Sequence, residues 1–270
     1  MSIKKIHFIS GLPRSGTTLL SNILNQNSKF YSGPNSPVLN MMFSIENFIH
    51  DDMYKAYTRC ESLDRIKSSI IYNFYFDDKQ PIVFDKNRGW VGYIDFIKKY
   101  ITPNPKIICT VRSVKDVLTS FITLMRKNNY PQDCFINKTK IHENDSDICM
   151  TLLTTGIVGV SIRQLIDGFN KYPDSILFVH YDDIVESTEK TLKRIYNFVN
   201  EDYVTHATEI KNQYEVNDDV YKLQGMHTVR KKIEKLSKKA EDILPADILQ
   251  LCNTHPVIQE FEQIISSNRY

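Results

Sequence analysis

An apolar run at residues 6–10 breaks into Gly11-Leu12-Pro13-Arg14-Ser15-Gly16-Thr17-Thr18-Leu19-Leu20, and no other stretch constrains the fold as tightly. The pattern reads as a strand, a glycine turn and the start of a helix at 17–27. Gly11 and Gly16 permit unusual backbone angles and a close approach to a ligand. The N–H groups from Arg14 to Thr18 have no helical partners, and with the helix dipole behind them they form a cradle for an anion. The spacing is that of a phosphate loop, Gly-x-x-x-x-Gly. Where a nucleoside-triphosphatase loop continues with lysine, this chain has Thr17, and a cation, Arg14, sits inside the loop instead. A structural Gly-Pro turn ahead of a helix is the alternative to a ligand site.

A unit that begins this way calls for partners of the same kind, and the chain supplies them. Short apolar runs at 81–85, 106–111 and 175–180 read as further strands, the one at 106–111 a continuous run suited to a buried parallel strand. Helical periodicity fills 38–50, 52–76, 114–127, 147–172, 188–199 and 245–251. Residues 128–145 and 201–224 are polar and irregular, and read as loops or lids. There is no repeat and no low-complexity linker. The expectation is one α/β domain over residues 1–270, a phosphate-loop-type parallel sheet flanked by helices, with ligands beyond the carboxyl ends of the strands.

Composition narrows the partners. Lys and Arg number 34 against 32 Asp and Glu, a net charge of +2, so nucleic acid is not indicated and any anion site must be a local arrangement of donors. The basic run Arg230-Lys231-Lys232 reads by itself as a solvated helix face. The 5 cysteines are scattered without a CxxC pair, which points to reduced thiols in a cytoplasmic protein rather than a disulfide framework or zinc site. No signal-peptide core and no apolar run of about 18 residues is found, so no membrane association is expected. The sequons at Asn137 and Asn144 then read as accidental.

A second anion site is expected at the end of the third long strand. Arg112 closes it, and Ser120 follows about two helical turns on. Arginine can grip a phosphate with two parallel N–H bonds, and a hydroxyl adds another donor. Lys86 ends the 81–85 strand on the same sheet edge; the alternative for it is a surface lysine paired with Asp85.

Phe8-Ile9-Ser10-Gly11-Leu12-Pro13-Arg14-Ser15-Gly16-Thr17-Thr18-Leu19-Leu20 resembles the 5′-phosphosulfate-binding motif of sulfotransferases that use 3′-phosphoadenosine 5′-phosphosulfate. Its Pro-Arg-Ser-Gly-Thr-Thr form is similar to that of the tyrosylprotein sulfotransferases and their bacterial relatives; many cytosolic small-molecule sulfotransferases carry lysine at the place of Arg14. The resemblance implies that Arg14 meets the bridging oxygen and sulfuryl group, and that Ser15, Gly16, Thr17 and Thr18 hold the 5′-phosphate. Arg112 and Ser120 match the family's 3′-phosphate motif. Tyr181 matches a tyrosine near the adenosine, and Gly225 to Arg230 and Lys231 match a late basic loop that closes over the 3′-phosphate. Lys86 matches a strand-end lysine that protonates or stabilises the departing phosphate. The implied chemistry is in-line displacement with charge spread over the equatorial oxygens, without a metal. It ends in the release of adenosine 3′,5′-bisphosphate.

The base is where this chain departs from the family. Tyrosylprotein sulfotransferases carry a glutamate soon after the first helix, but residues 31–40 contain no carboxylate, and Glu46 is the expected base. The acceptor therefore stays open among peptide tyrosine, carbohydrate and small alcohols or phenols, and nothing in the sequence reports an oligomeric state. An atypical phosphate-loop kinase using ATP and magnesium, or a non-catalytic nucleotide-binding module, are the rival readings.

Overall fold

Strand β1 (Lys5–Gly11) is buried over six of its seven positions, as a central strand covered on both faces must be. The computed structural model describes residues 4–56, 61–131, 134, 136, 144–210, 214, 216–228, 232–233 and 239–269. Within it β2 (Phe30–Tyr31), β3 (Ile82–Lys86), β4 (Ile107–Val111) and β5 (Ile176–His180) join β1 in a parallel five-stranded sheet of order β2-β3-β1-β4-β5. Register aligns Ile9 with Lys86 and Gly11 with Thr110. The turn after β1 is thus flanked by the ends of β3 and β4, where Lys86 and Arg112 stand.

Alternation along β1 divides the core: Phe8 faces one apolar cluster and Ile9 the other. On the Ile9 side pack α1 (Thr17–Leu24), α9 (Tyr181–Glu186) and α10 (Thr188–Val199). The Phe8 side carries the larger cluster, built by α2 (Val38–Asn47), α4 (Glu61–Phe74), α5 (Ile94–Tyr100), α6 (Val114–Lys127), α7 (Asp145–Thr154), α8 (Ile157–Lys171), α11 (Ala246–Thr254) and α12 (Pro256–Ser267). The short α3 (Asp52–Ala56) buries none of its side chains. In α6 the apolar stripe Val114, Val117, Leu118, Phe121, Ile122 and Met125 is wholly buried, the helical spacing that made it legible.

Several differences from the sequence reading have physical causes. Strand β2 spans only two residues, too few for a period to show. The single helix expected at 147–172 is two, because the chain turns at Gly156, whose N–H bonds Thr151 O at 2.7 Å and where a Cβ would stand 2.6 Å from that same oxygen. An 18-residue window within Asp145–Lys171 reaches a mean hydropathy of 1.4, enough by length and composition alone to cross a membrane, although it is no unbroken apolar run. Here the stretch forms α7 and α8, which pack against each other and contribute Cys149, Leu152, Val158, Ile162 and Leu165 to the core. Helix α12 was not anticipated, although Pro256 stands in its first turn, where proline is favoured. It braces the sheet edge: Val114 N–H donates to Glu262 Oε1 at 2.8 Å, and Arg269, just beyond the helix, bonds Asp183 of α9 at 3.1 Å.

Candidate functional site

Three residues of the turn after β1 have left-handed backbone angles: Gly11 at φ 122°, Arg14 at 61° and Gly16 at 92°. Gly11 has no alternative, since a Cβ there would lie 2.1 Å from Thr110 O of β4. A Cβ on Gly16 would lie 2.8 Å from the Tyr181 ring. Arg14 adopts this conformation with a full side chain, a strained choice that the surrounding contacts must hold. The first bond inside α1 runs from Leu20 N–H to Gly16 O, so the preceding N–H groups are left to the turn.

Ser15 is fully buried, and its Oγ donates to Leu12 O at 2.6 Å and lies 2.6 Å from Thr110 Oγ1. The hydroxyl therefore braces the loop on β4, and what Ser15 can offer an anion is its N–H. Thr17, Thr18 and Gly16 line a cavity together with Arg14, Arg112, Ser120 and Tyr181, so the two expected donor clusters share one cleft. Arg14 spans them, its Nε donating to Ser120 Oγ at 3.0 Å and its Nη1 to Met226 O.

Arg112 closes β4 with its guanidinium carbon 4.5 Å above the Tyr181 ring centroid. Its side chain is 11% exposed, and its Nε is buried without a hydrogen-bond partner; Asp116 Oδ2 is 3.5 Å away, near enough to pair charges but not to bond. A buried, stacked guanidinium with spare donors, beside a serine hydroxyl and a turn of N–H groups, can donate to anionic groups at two places in one cleft.

At the end of β3, Asp85 and Lys86 do not pair. Asp85 accepts from Ser36 Oγ, Tyr75 Oη and Trp90 Nε1 at 2.6, 2.7 and 2.6 Å, and burial raises its pKa. Lys86 is 2% exposed; its Nζ donates to Tyr214 Oη at 3.2 Å, under cover of that ring rather than opening onto the cavity. Burial, and then the neighbouring Arg88, bring its pKa from 10.5 down to about 7. Arg88 itself does line the cavity.

Two expected groups lie elsewhere. Glu46 lines neither this cavity nor the next: α2 turns it toward α4, where it bonds Lys67, which also bonds Tyr100 and pairs with Asp64 at 3.0 Å. Arg230 and Lys231 lie outside the described residues, though Thr228 and Lys232 on either side of them line the cavity.

Sequence reasoning missed a third feature. His227 lines the cavity beside Arg14; its Nδ1 lies 2.6 Å from Asp218 Oδ1, and its backbone N–H donates to Asp218 Oδ2 at 3.0 Å. Nothing in the sequence links a histidine to an aspartate nine residues earlier in an irregular segment. Tyr221 packs on the imidazole with ring centroids 5.3 Å apart. Tyr221 also lines an adjoining cavity walled by Asn40, Asn87, Ser161 and Gln164, and Asn35 and Arg88 belong to both cavities.

The sulfotransferase family profile matches residues 7–205 of the chain. No curated protein matches it. Among solved structures, the sulfotransferase domain from the curacin biosynthetic pathway aligns with a TM-score of 0.54 at 17% identity, covering 100% of this chain and 99% of that one. The sulfotransferase from Alicyclobacillus acidocaldarius gives 0.53 at 15% identity, with 100% of both chains covered. Mouse sulfotransferase SULT7A1 complexed with PAP gives 0.56 at 14% identity, covering 98% of this chain and 87% of that one. At such identities these structures speak for the fold.

Proposed function

The chain belongs to the sulfotransferase family, and we propose that it moves the sulfuryl group of 3′-phosphoadenosine 5′-phosphosulfate to an acceptor hydroxyl. The observation that carries this reading is the single cleft shared by the N–H turn at Arg14–Thr18 and the stacked guanidinium of Arg112. The donor has a phosphate at each end of its ribose, and one cluster serves each. The turn, with Thr17 and Thr18, takes the 5′-phosphate; Arg112 and Ser120 take the 3′-phosphate; Tyr181 lies under the guanidinium and against Gly16, where it fixes the spacing between the two. By the family resemblance, Arg230 and Lys231 add two cations for the 3′-phosphate.

Arg14 and Lys86 supply the charge that the transfer needs. Arg14 exchanges its bonds to Ser120 and Met226 O for the bridging oxygen as the sulfur–oxygen bond breaks. Lys86, with a pKa near 7, gains its proton fully once it exchanges the Tyr214 bond that covers it for a bound anion. Stabilising charge that develops on the leaving group accounts for the largest share of such catalysis. The acceptor enters through the adjoining cavity. Its amide and hydroxyl walls suit a neutral, hydroxyl-rich acceptor, a carbohydrate or polar alcohol, better than an apolar phenol.

The test is transfer of radiolabelled sulfate from the donor to a panel of carbohydrate, alcohol, phenol and tyrosyl-peptide acceptors. Labelled product is expected without ATP, with Arg14→Ala and Lys86→Met each slower by about 100- to 1,000-fold. Consumption of ATP with magnesium, and no labelled product from any acceptor, would overturn the reading.

A further inference from the structure

We infer that His227 is the general base of the transfer, held in its working tautomer by Asp218; the inference rests on the sulfuryl-transfer reading above. Glu46 is held by Lys67 away from both cavities, so the acceptor hydroxyl needs another proton acceptor. His227 stands where one is required. It lines the donor cavity, and its ring packs on Tyr221 of the acceptor cavity, at the seam that Asn35 and Arg88 also share.

The dyad has the geometry of a base and its orienter. A carboxylate 2.6 Å from Nδ1 keeps the proton on that nitrogen and leaves Nε2 with a free lone pair; among the described residues nothing bonds Nε2. Both side chains are 10% exposed, so little water competes for the pair. The second bond, from the His227 N–H to Asp218 Oδ2, locks the backbone to the same carboxylate. Burial is the largest influence on the imidazole and lowers its pKa; Asp218 raises it, and Lys86 and Arg14 lower it further. These are the groups that face it: Asp218 and Tyr221 from its own segment, Lys86 from the end of β3 and Arg14 from the turn after β1, with Arg88, Arg112 and Lys232 lining the same cavity. The net result is a neutral imidazole at pH 7, able to accept a proton.

The step balances. Nε2 takes the acceptor O–H proton while the oxygen lone pair forms the new bond to sulfur. The bond from sulfur to the bridging oxygen breaks, and its electron pair leaves with the bisphosphate, whose charge Arg14 and Lys86 meet. The imidazolium formed is stabilised by Asp218 and returns its proton to water after release.

The experiment compares wild type, His227→Gln and Asp218→Asn in two assays. One is calorimetric binding of adenosine 3′,5′-bisphosphate. The other is turnover of labelled donor with the acceptor panel, donor hydrolysis counting as turnover with water as acceptor. His227→Gln is expected to bind the bisphosphate within about threefold of wild type, which also reports that it folds. Its kcat falls by about 100- to 10,000-fold, and the acid limb of the pH profile disappears. Asp218→Asn keeps the donor KM, loses kcat to a smaller extent, and moves the acid limb to lower pH, because the carboxylate that raises the imidazole pKa is gone. Undiminished kcat in His227→Gln overturns the inference, as does parallel loss of bisphosphate binding and turnover, which would make the segment a clamp on the donor. Absence of bisphosphate binding and turnover in wild type itself would instead sink the sulfuryl-transfer reading.

Discussion

Lys86 joins two properties that pull against each other. A lysine held near pH 7 by burial is suited to meet an arriving anion, and it weakens the empty fold. Its folded pKa lies below its ordinary value of 10.5, so between pH 7 and 10.5 the unfolded chain binds more protons and this residue's share of stability rises with pH. Lys86→Met is therefore expected to be more stable than wild type at pH 7 by about 1–3 kcal/mol, less than the roughly 5 kcal/mol that the whole shift implies, because the bond to Tyr214 is lost. Urea unfolding at several pH values checks it: the gap should narrow toward pH 10, and a variant less stable at pH 7 would contradict the account. Residues near one another in the chain were the legible ones. The turn at Gly11–Thr18 and the pair Arg112 and Ser120 sit within local patterns, whereas the Asp218–His227 contact forms only once an irregular segment folds onto the site. Order along the chain points to Glu46 as a base, but packing of α2 on α4 sets its direction, which no local pattern records.

Among the elements, α12 has the widest reach. Glu262 accepts from the first N–H of α6, two residues after Arg112, and Arg269 holds Asp183 of the helix that Tyr181 begins. Both ends of the guanidinium stack are thus tied to the C-terminal segment, beyond the residues that the family profile matches. A carboxylate capping a helix N-terminus contributes about 0.5–2 kcal/mol. Glu262→Ala should cost that much in urea unfolding and weaken bisphosphate binding several-fold through a looser Arg112; unchanged values in both measurements would show that α12 only covers the sheet. The strands were readable from apolar runs and α6 from its stripe. Strand β2 and the break at Gly156 were not: the first is shorter than any period, and the second is set by how closely the chain returns on Thr151.

For the molecule as a whole, the parallel order β2-β3-β1-β4-β5 puts the turn after β1 between the ends of its two neighbours, so three strand ends converge on one cleft. That convergence could be anticipated, because a strand, phosphate turn and helix at the start of an alternating chain leave few other arrangements. Calorimetry with adenosine 3′,5′-bisphosphate and adenosine 5′-monophosphate, on wild type and Arg112→Ala, tests it most directly. Wild type should favour the bisphosphate by roughly 100-fold, the value of a well-made arginine–phosphate contact, and Arg112→Ala should bind the two ligands almost alike. Equal affinity of wild type for both ligands, or a preference for ATP with magnesium, would contradict two clusters serving one ligand.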